Sequence, residues 1–203
     1  GQYQAGEIDA VPVPSYAAEE DTPTHSNTET FVALKAKIDN WRWAGVPFFL
    51  RTGKRMPEKV AEIVIQFREV PHAVFPSVGG MSAGNRLVIR LQPEEDIRLY
   101  LMAKEPGNAM KVKPTYLSLD FCQVFAGRRA EAYERLLLDV IDGKLALFMR
   151  RDEVMAAWEW VTPIMRYWAE EETGPLPYLA GTWGPEAATV LLSKIGVAWH
   201  DDE

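Results

Sequence analysis

In FFLRTGKRMPEKVAEIVIQF, residues 48–67, Arg51, Lys54, Arg55 and Lys59 surround Gly53 and lead directly into an alternating apolar segment. Lys54 follows Gly53 at the end of one expected strand, and Lys59 comes five residues later at the start of the next, a spacing at which both ammonium groups could converge on one anion. Lysine is a flexible point charge with three donors, suited to phosphate oxygens or sugar hydroxyls, whereas arginine offers a rigid fork. A phosphorylated metabolite is the natural partner of such a turn. The competing reading is an ordinary solvated hairpin turn, and spacing alone favours it, because a short basic turn is a weak signal.

Other residues with chemistry to offer are scattered. There is no GxGxxG and no Walker loop, and GGMSAG at 79–84 has the wrong spacing for a Rossmann phosphate turn, with no long helical pattern after it. His25, His72 and His200 lack metal-ligand spacing, and Cys122 falls in an expected strand without an activated-thiol signature. A structural role is the commoner one for each. Glu94 and Glu95 share a tight connection, where solvated charge is the ordinary reading.

The bulk of the chain limits the partners of the basic turn. With 203 residues, 47% hydrophobic and 25% charged, it can bury most of its unfolded surface, and one domain is expected. A net charge of -7 argues against a nucleic-acid surface, which usually carries a basic field. No run approaches the roughly 18 apolar residues needed to span a bilayer, and the single Cys122 makes no internal disulfide. A soluble, reducing, cytoplasmic setting is the default expectation.

The elements that must position the cations follow from periodicity. Residues 1–30 are rich in Pro, Gly, acid and Thr without a sustained period, and read as an extended arm or linker. TFVALKAKIDNWRW is ambiguous: Val32, Leu34, Ala36 and Ile38 alternate, yet Phe31, Leu34 and Ile38 also fit a helical stripe, and Ser26 with Glu29 resembles a capping box. VPFFLRTG, VAEIVIQFREV, NRLVIRLQP and IRLYLMAKEP read as strands, the last two close enough for a hairpin. After TYLSLDF the texture turns helical. AEAYERLLLDVIDG stops at Gly143, RDEVMAAWEWVTPIMRYWAEE carries acids in its first turn and Pro163 inside, where a kink is expected, and a last helix starts near Pro185. Strands first and helices afterwards make an α+β layout with a large, mainly antiparallel sheet carrying helices on one face. Most of the seven Trp residues, including Trp41, Trp43, Trp158, Trp160 and Trp183, are expected in the core, with an interface as the alternative.

Several stretches together resemble one family along nearly the whole chain: GQYQAG at 1–6, NTETFVALKAKIDNWRWAGVPFFLRTGK at 27–54, LVIRLQP from 87, EAYERLLLDV at 131–140, FMRRDEV at 148–154 and YLAGTWGPEAA from 178. They look like the C-terminal domain of glucose-6-phosphate dehydrogenase, of the bacterial type. The resemblance implies that the ambiguous first segment is a strand. It also implies that residues 31–203 are a substrate-binding and oligomerisation domain, with residues 1–30 leading from an N-terminal NADP-binding Rossmann domain. The family oxidises the C1 hydroxyl of glucose 6-phosphate to a lactone in the pentose phosphate pathway, with hydride passing to NADP. Its histidine base and orienting aspartate belong to that N-terminal domain, so no catalytic residue is expected here, and the chain alone should be inactive.

What carries over residue by residue is narrower. Lys54 in RTGK, Lys59 after MPE and Gln92 in LQP match family positions that contact glucose 6-phosphate. Arg51 and Arg90 match arginines that hold a second, structural NADP in some eukaryotic members. The chain ends at GVAWHDDE, without the aromatic tail that completes that site in those members, and a sheet-face ion pair is the expected role of both arginines. Homo-oligomers, dimers or tetramers, form through the sheet in this family. The rival reading is a non-enzymatic sheet module that only self-associates.

Overall fold

The computed structural model describes residues 1–23, 25–69, 72, 84–125, 132–171 and 173–201. Apart from Gly84, the GGMSAG stretch lies outside them. The chain divides into two compact units, Gly1–Glu58 with Ala130–Glu203, and Lys59–Arg129. The four strands of the second unit come from contiguous sequence and form one sheet.

Residues 1–30, read as an extended arm, are extended in conformation but tied into the first unit. They carry β1 (Gln2–Gln4), β2 (Gly6–Ile8), β3 (Val11–Val13) and a 3-10 turn at Tyr16–Ala18. Asp9 and Ala10, both at positive φ, make the tight turn between the antiparallel β2 and β3. Strands this short show no period, which is why the pattern of the sequence does not reveal them. The Gly1 carbonyl accepts from the backbone N–H of Thr30 at 2.8 Å and of Phe31 at 3.0 Å. From there β4 (Phe31–Ala36) pairs antiparallel with β5 (Phe48–Gly53), Phe31 opposite Gly53 and Leu34 opposite Leu50. The ambiguous segment is therefore a strand. Ser26 starts no helix; its hydroxyl accepts locally from the Thr28 N–H at 3.2 Å.

In the second unit β6 (Ala61–Gln66), β7 (Arg86–Gln92), β8 (Asp96–Lys104) and β9 (Val112–Asp120) form an antiparallel meander. The short link from β7 to β8 is the expected hairpin, and Gln92–Pro93 within it is cis. Register gives the two faces different chemistry. Ile63, Ile89, Ile97 and Leu119 form one cross-strand row, and Ile65, Leu87, Leu99 and Leu117 the next on the same face. The opposite face carries Glu62, Arg90, Asp96 and Asp120 around the buried Val88. Cys122 is not in a strand. Asp120 ends β9 and accepts from the N–H of Cys122 at 2.8 Å and of Gln123 at 3.2 Å, capping the one-turn helix α1 (Phe121–Val124) and leaving the thiol exposed.

The chain then returns to the first unit. Helix α2 (Ala132–Ile141) ends just before Gly143, whose φ of 69° supplies the left-handed stop. Helix α3 (Arg151–Glu170) continues through Pro163, and Glu153 caps its start by accepting from the Arg150 N–H at 2.8 Å. Strand β10 (Pro177–Leu179) lies parallel to β1, Tyr178 opposite Tyr3, and α4 (Glu186–Ser193) follows Pro185. Together Tyr3, Phe31, Tyr178 and Ala188 make the core, with Phe31 and Tyr178 ring centres 5.5 Å apart. Gly181 and Gly184 in AGTWG permit it: both have positive φ, and a Cβ on Gly184 would stand 2.2 Å from the Phe31 ring. The tryptophans do not fill this core. Trp41, in a turn, is wholly exposed, and Trp158 and Trp160 on α3 are 58% and 50% exposed.

Candidate functional site

Lys54 leaves β5 on a backbone fixed at every polar atom. Its N–H donates to the Thr30 carbonyl at 2.8 Å, extending the β4–β5 ladder by one step. Its carbonyl accepts from the Tyr178 hydroxyl at 2.7 Å. The next residue, Arg55, sits at a φ of 52°, and its carbonyl accepts from the Gly181 N–H at 2.8 Å. The Arg55 guanidinium donates to Glu19 at 2.8 Å, and the Tyr3 hydroxyl donates to the same carboxylate oxygen at 2.9 Å. The Arg55 hydrogen bond, then that of Tyr3, holds the Glu19 carboxyl below its usual pKa, while burial pushes the Tyr178 and Tyr3 phenols up. The Lys54 side chain itself is exposed, with no hydrogen bond or ion pair among the described residues.

Arg51, three residues earlier on β5, has a different setting. Its guanidinium ion-pairs with Asp201 and lies 4.9 Å from the Trp183 ring centre and 4.5 Å from that of Trp199. The side chain is only 11% exposed. An aromatic and carboxylate enclosure of this kind satisfies the cation fully, and a nucleotide phosphate would have to displace Asp201 to reach it. The residues present do not fit an added anionic cofactor.

Among residues of the second unit, Lys59 lies two residues before β6 and is exposed. Gln92, also exposed, closes β7 directly opposite Ala61, so Lys59 and Gln92 share one end of the four-stranded sheet. Arg90 faces Glu62 across the β6–β7 ladder, with 3.9 Å between charged atoms and both side chains largely covered. Thus Arg51 and Arg90 belong to different units and each has its own carboxylate.

The clamp around Lys54 draws on Tyr3, Glu19, Thr30 and Tyr178, none of which stands out by type or spacing. The signal in the sequence is that Tyr3 and Tyr178 fall in GQYQAG and YLAGTWG, two of the stretches that carry the family resemblance. A separate cleft of about 380 Å³ in the first unit is lined by Glu29, Tyr167, Trp168, Glu171 and Leu176 among others, with no lysine or arginine. Two carboxylates in its wall make it unsuited to a phosphate. Among the described residues, no group of three or more His, Cys, Asp or Glu is placed to hold a metal, and no helix is long and apolar enough to cross a membrane.

These features define a class first: a mixed α and β protein with an antiparallel sheet. The family model for the glucose-6-phosphate dehydrogenase C-terminal domain matches residues 1–200, and the chain belongs to that family. Glucose-6-phosphate 1-dehydrogenase of Mycolicibacterium smegmatis is 52% identical over 200 residues, covering 98% of this chain and 40% of the relative. That of Rhizobium meliloti is 50% identical, covering 99% and 41%. Among solved structures, a glucose-6-phosphate dehydrogenase in complex with glucose 6-phosphate superposes with a TM-score of 0.85 at 36% identity, covering 99% of this chain and 41% of that one. The Mycobacterium avium enzyme gives 0.74 at 33% identity, with 98% and 40% covered. The chain spans about 40% of the length of the curated relatives it matches and corresponds to their C-terminal part.

Proposed function

We propose that this chain is the substrate-contacting and oligomerisation part of an NADP-dependent glucose-6-phosphate dehydrogenase of the cytoplasm, which oxidises glucose 6-phosphate to its lactone. The observation that carries the reading is the exposed Lys54 ammonium, unpaired among the described residues, on a backbone held by Thr30 and Tyr178. A flexible cation on a fixed base is suited to the oxygens of a sugar phosphate. In this reading Lys54, Lys59 and Gln92 contact the substrate, and Arg51 and Arg90 serve the fold through Asp201 and Glu62. NADP and the catalytic base are supplied by an N-terminal Rossmann domain.

Replacing Lys54 or Lys59 by Ala in the full-length protein tests the assignment. Each change should raise KM for glucose 6-phosphate about 10- to 100-fold, the cost of losing a charged hydrogen bond. An unchanged KM in both variants would leave only the self-association reading. For the oligomer, the two aliphatic rows on the β6–β9 sheet support burial against a second copy: Ile63 is 50% and Leu117 is 64% exposed within one chain. Leu117→Asp in the full-length protein should shift sedimentation toward the monomer, and an unaltered profile would remove the sheet as the interface.

A further inference from the structure

The contacts around Lys54 close into a ring that has one free end. The Tyr3 N–H donates to Thr30 Oγ1 at 3.0 Å, and Thr30 Oγ1 lies 3.2 Å from the Tyr178 hydroxyl. Because the Tyr178 proton is taken by the shorter 2.7 Å bond to the Lys54 carbonyl, the Thr30 hydroxyl is left to donate to Tyr178. On the other side Lys54 continues into Arg55, whose guanidinium reaches Glu19, and Glu19 accepts from the Tyr3 hydroxyl. Tyr3 thus grips both arms, one through its backbone and one through its phenol. Tyr178, Tyr3 and Thr30 are buried. The Lys54 ammonium is the one cation of this assembly that the ring itself does not use; the Arg55 charge is spent on Glu19.

We infer that Tyr178, with Glu19 acting through Arg55, is a positioning residue that fixes the Lys54 backbone so that its ammonium meets glucose 6-phosphate. The inference rests on the proposed role of Lys54 as a substrate contact. With the N–H and C=O of Lys54 both bonded and Arg55 held at positive φ, the Cα–Cβ vector of Lys54 has a single orientation, and only the flexible stem remains to be ordered on binding. A tyrosine used for packing alone would need no hydroxyl there, since its ring already contacts Phe31 and Tyr3.

Tyr178→Phe in the full-length enzyme deletes the hydroxyl and keeps the ring. KM for glucose 6-phosphate should rise about five- to tenfold with kcat changed less than about twofold, as expected for a binding group displaced by part of an ångström. In a Lys54→Ala background the same change should alter KM by less than about twofold, because the group being positioned is gone. An equal effect in both backgrounds, or none in the wild type, would overturn the proposal. Should Tyr178→Phe fail to fold, Glu19→Gln at the exposed arm decides. It should give the same KM-only pattern at about two- to threefold, and an unchanged KM would count against positioning. If Lys54→Ala itself leaves KM unchanged, the substrate role of Lys54 falls and this inference with it. If Lys54→Ala raises KM while Tyr178→Phe does not, only the positioning falls.

Discussion

Arg51 on β5 lays its guanidinium 4.5 Å from the centre of the Trp199 ring, while Trp183 stands 4.9 Å away and Asp201 takes the charge. The Trp199 indole N–H in turn donates to the Ala188 carbonyl at 2.9 Å, so one cation ties the C-terminal stretch to both β5 and α4. Lysine would keep the charge and lose the flat surface that two indoles contact. Arg51→Lys should therefore cost about 1–2 kcal/mol of stability, read by denaturant unfolding of the full-length protein. Tryptophan fluorescence in the same variant should report a more solvated Trp199.

The Glu19 carboxyl has a folded pKa below its usual value because Arg55 and then Tyr3 bond its charged form. Such a group stabilises the fold at pH values above its unfolded pKa and loses that contribution as pH falls through its folded pKa. Glu19→Gln should melt below the wild type at about pH 7 and converge on it as pH is taken toward about 3. A gap that stays constant with pH would place the effect outside the carboxylate.

Two glycines at positive φ separate backbone strain from steric conflict. At Gly143 a Cβ would meet open space, whereas at Gly184 it would enter the Phe31 ring. Gly143→Ala should cost about 1 kcal/mol, the conformational penalty alone. Gly184→Ala should cost about 3 kcal/mol or more, since Phe31 has nowhere to move without opening the core. Thermal unfolding of both variants gives the comparison directly.

Aromatic residues divide the same way. Phe31→Ala removes a side chain that is 3% exposed and should cost about 3–5 kcal/mol. Trp41→Ala removes a larger side chain that is wholly exposed in the chain, and stability should change by no more than about 0.5 kcal/mol. Equilibrium denaturation distinguishes them.

How much was legible beforehand follows from the range of the interactions. Long alternating runs such as VAEIVIQF announce themselves, and Gly143 and Pro185 mark helix ends through local chemistry, so β6 to β8 and the helices α2 to α4 could be placed from the sequence. Lys54 was visible as a charge. Its clamp was not, because the Tyr178 hydroxyl comes from 124 residues away and no periodicity spans that distance. Cys122 looked like a strand residue because LSLDFC continues an apolar alternation; the Asp120 cap ends the strand two residues earlier. Trp158 and Trp160 misled for another reason: hydrophobicity predicts that a side chain will be covered somewhere, not that its own chain covers it. The split into two units was also hidden, since composition does not change at Lys59.

The parallel pairing of β1 with β10 has a consequence for how the molecule is made. Residues 59–129 are contiguous, and their four strands can close as soon as Asp120 has emerged during synthesis. The core around Tyr3 must wait for Tyr178 and Ala188. At about 5–20 residues per second, the first strand stays without its partner for on the order of ten seconds. During that interval β1 has an unpaired edge and Tyr3 lacks Tyr178 and Ala188 beside it, the kind of edge that invites wrong pairing. Birth order, and not only final contacts, is thus written into the distance between Gln2 and Pro177 along the chain.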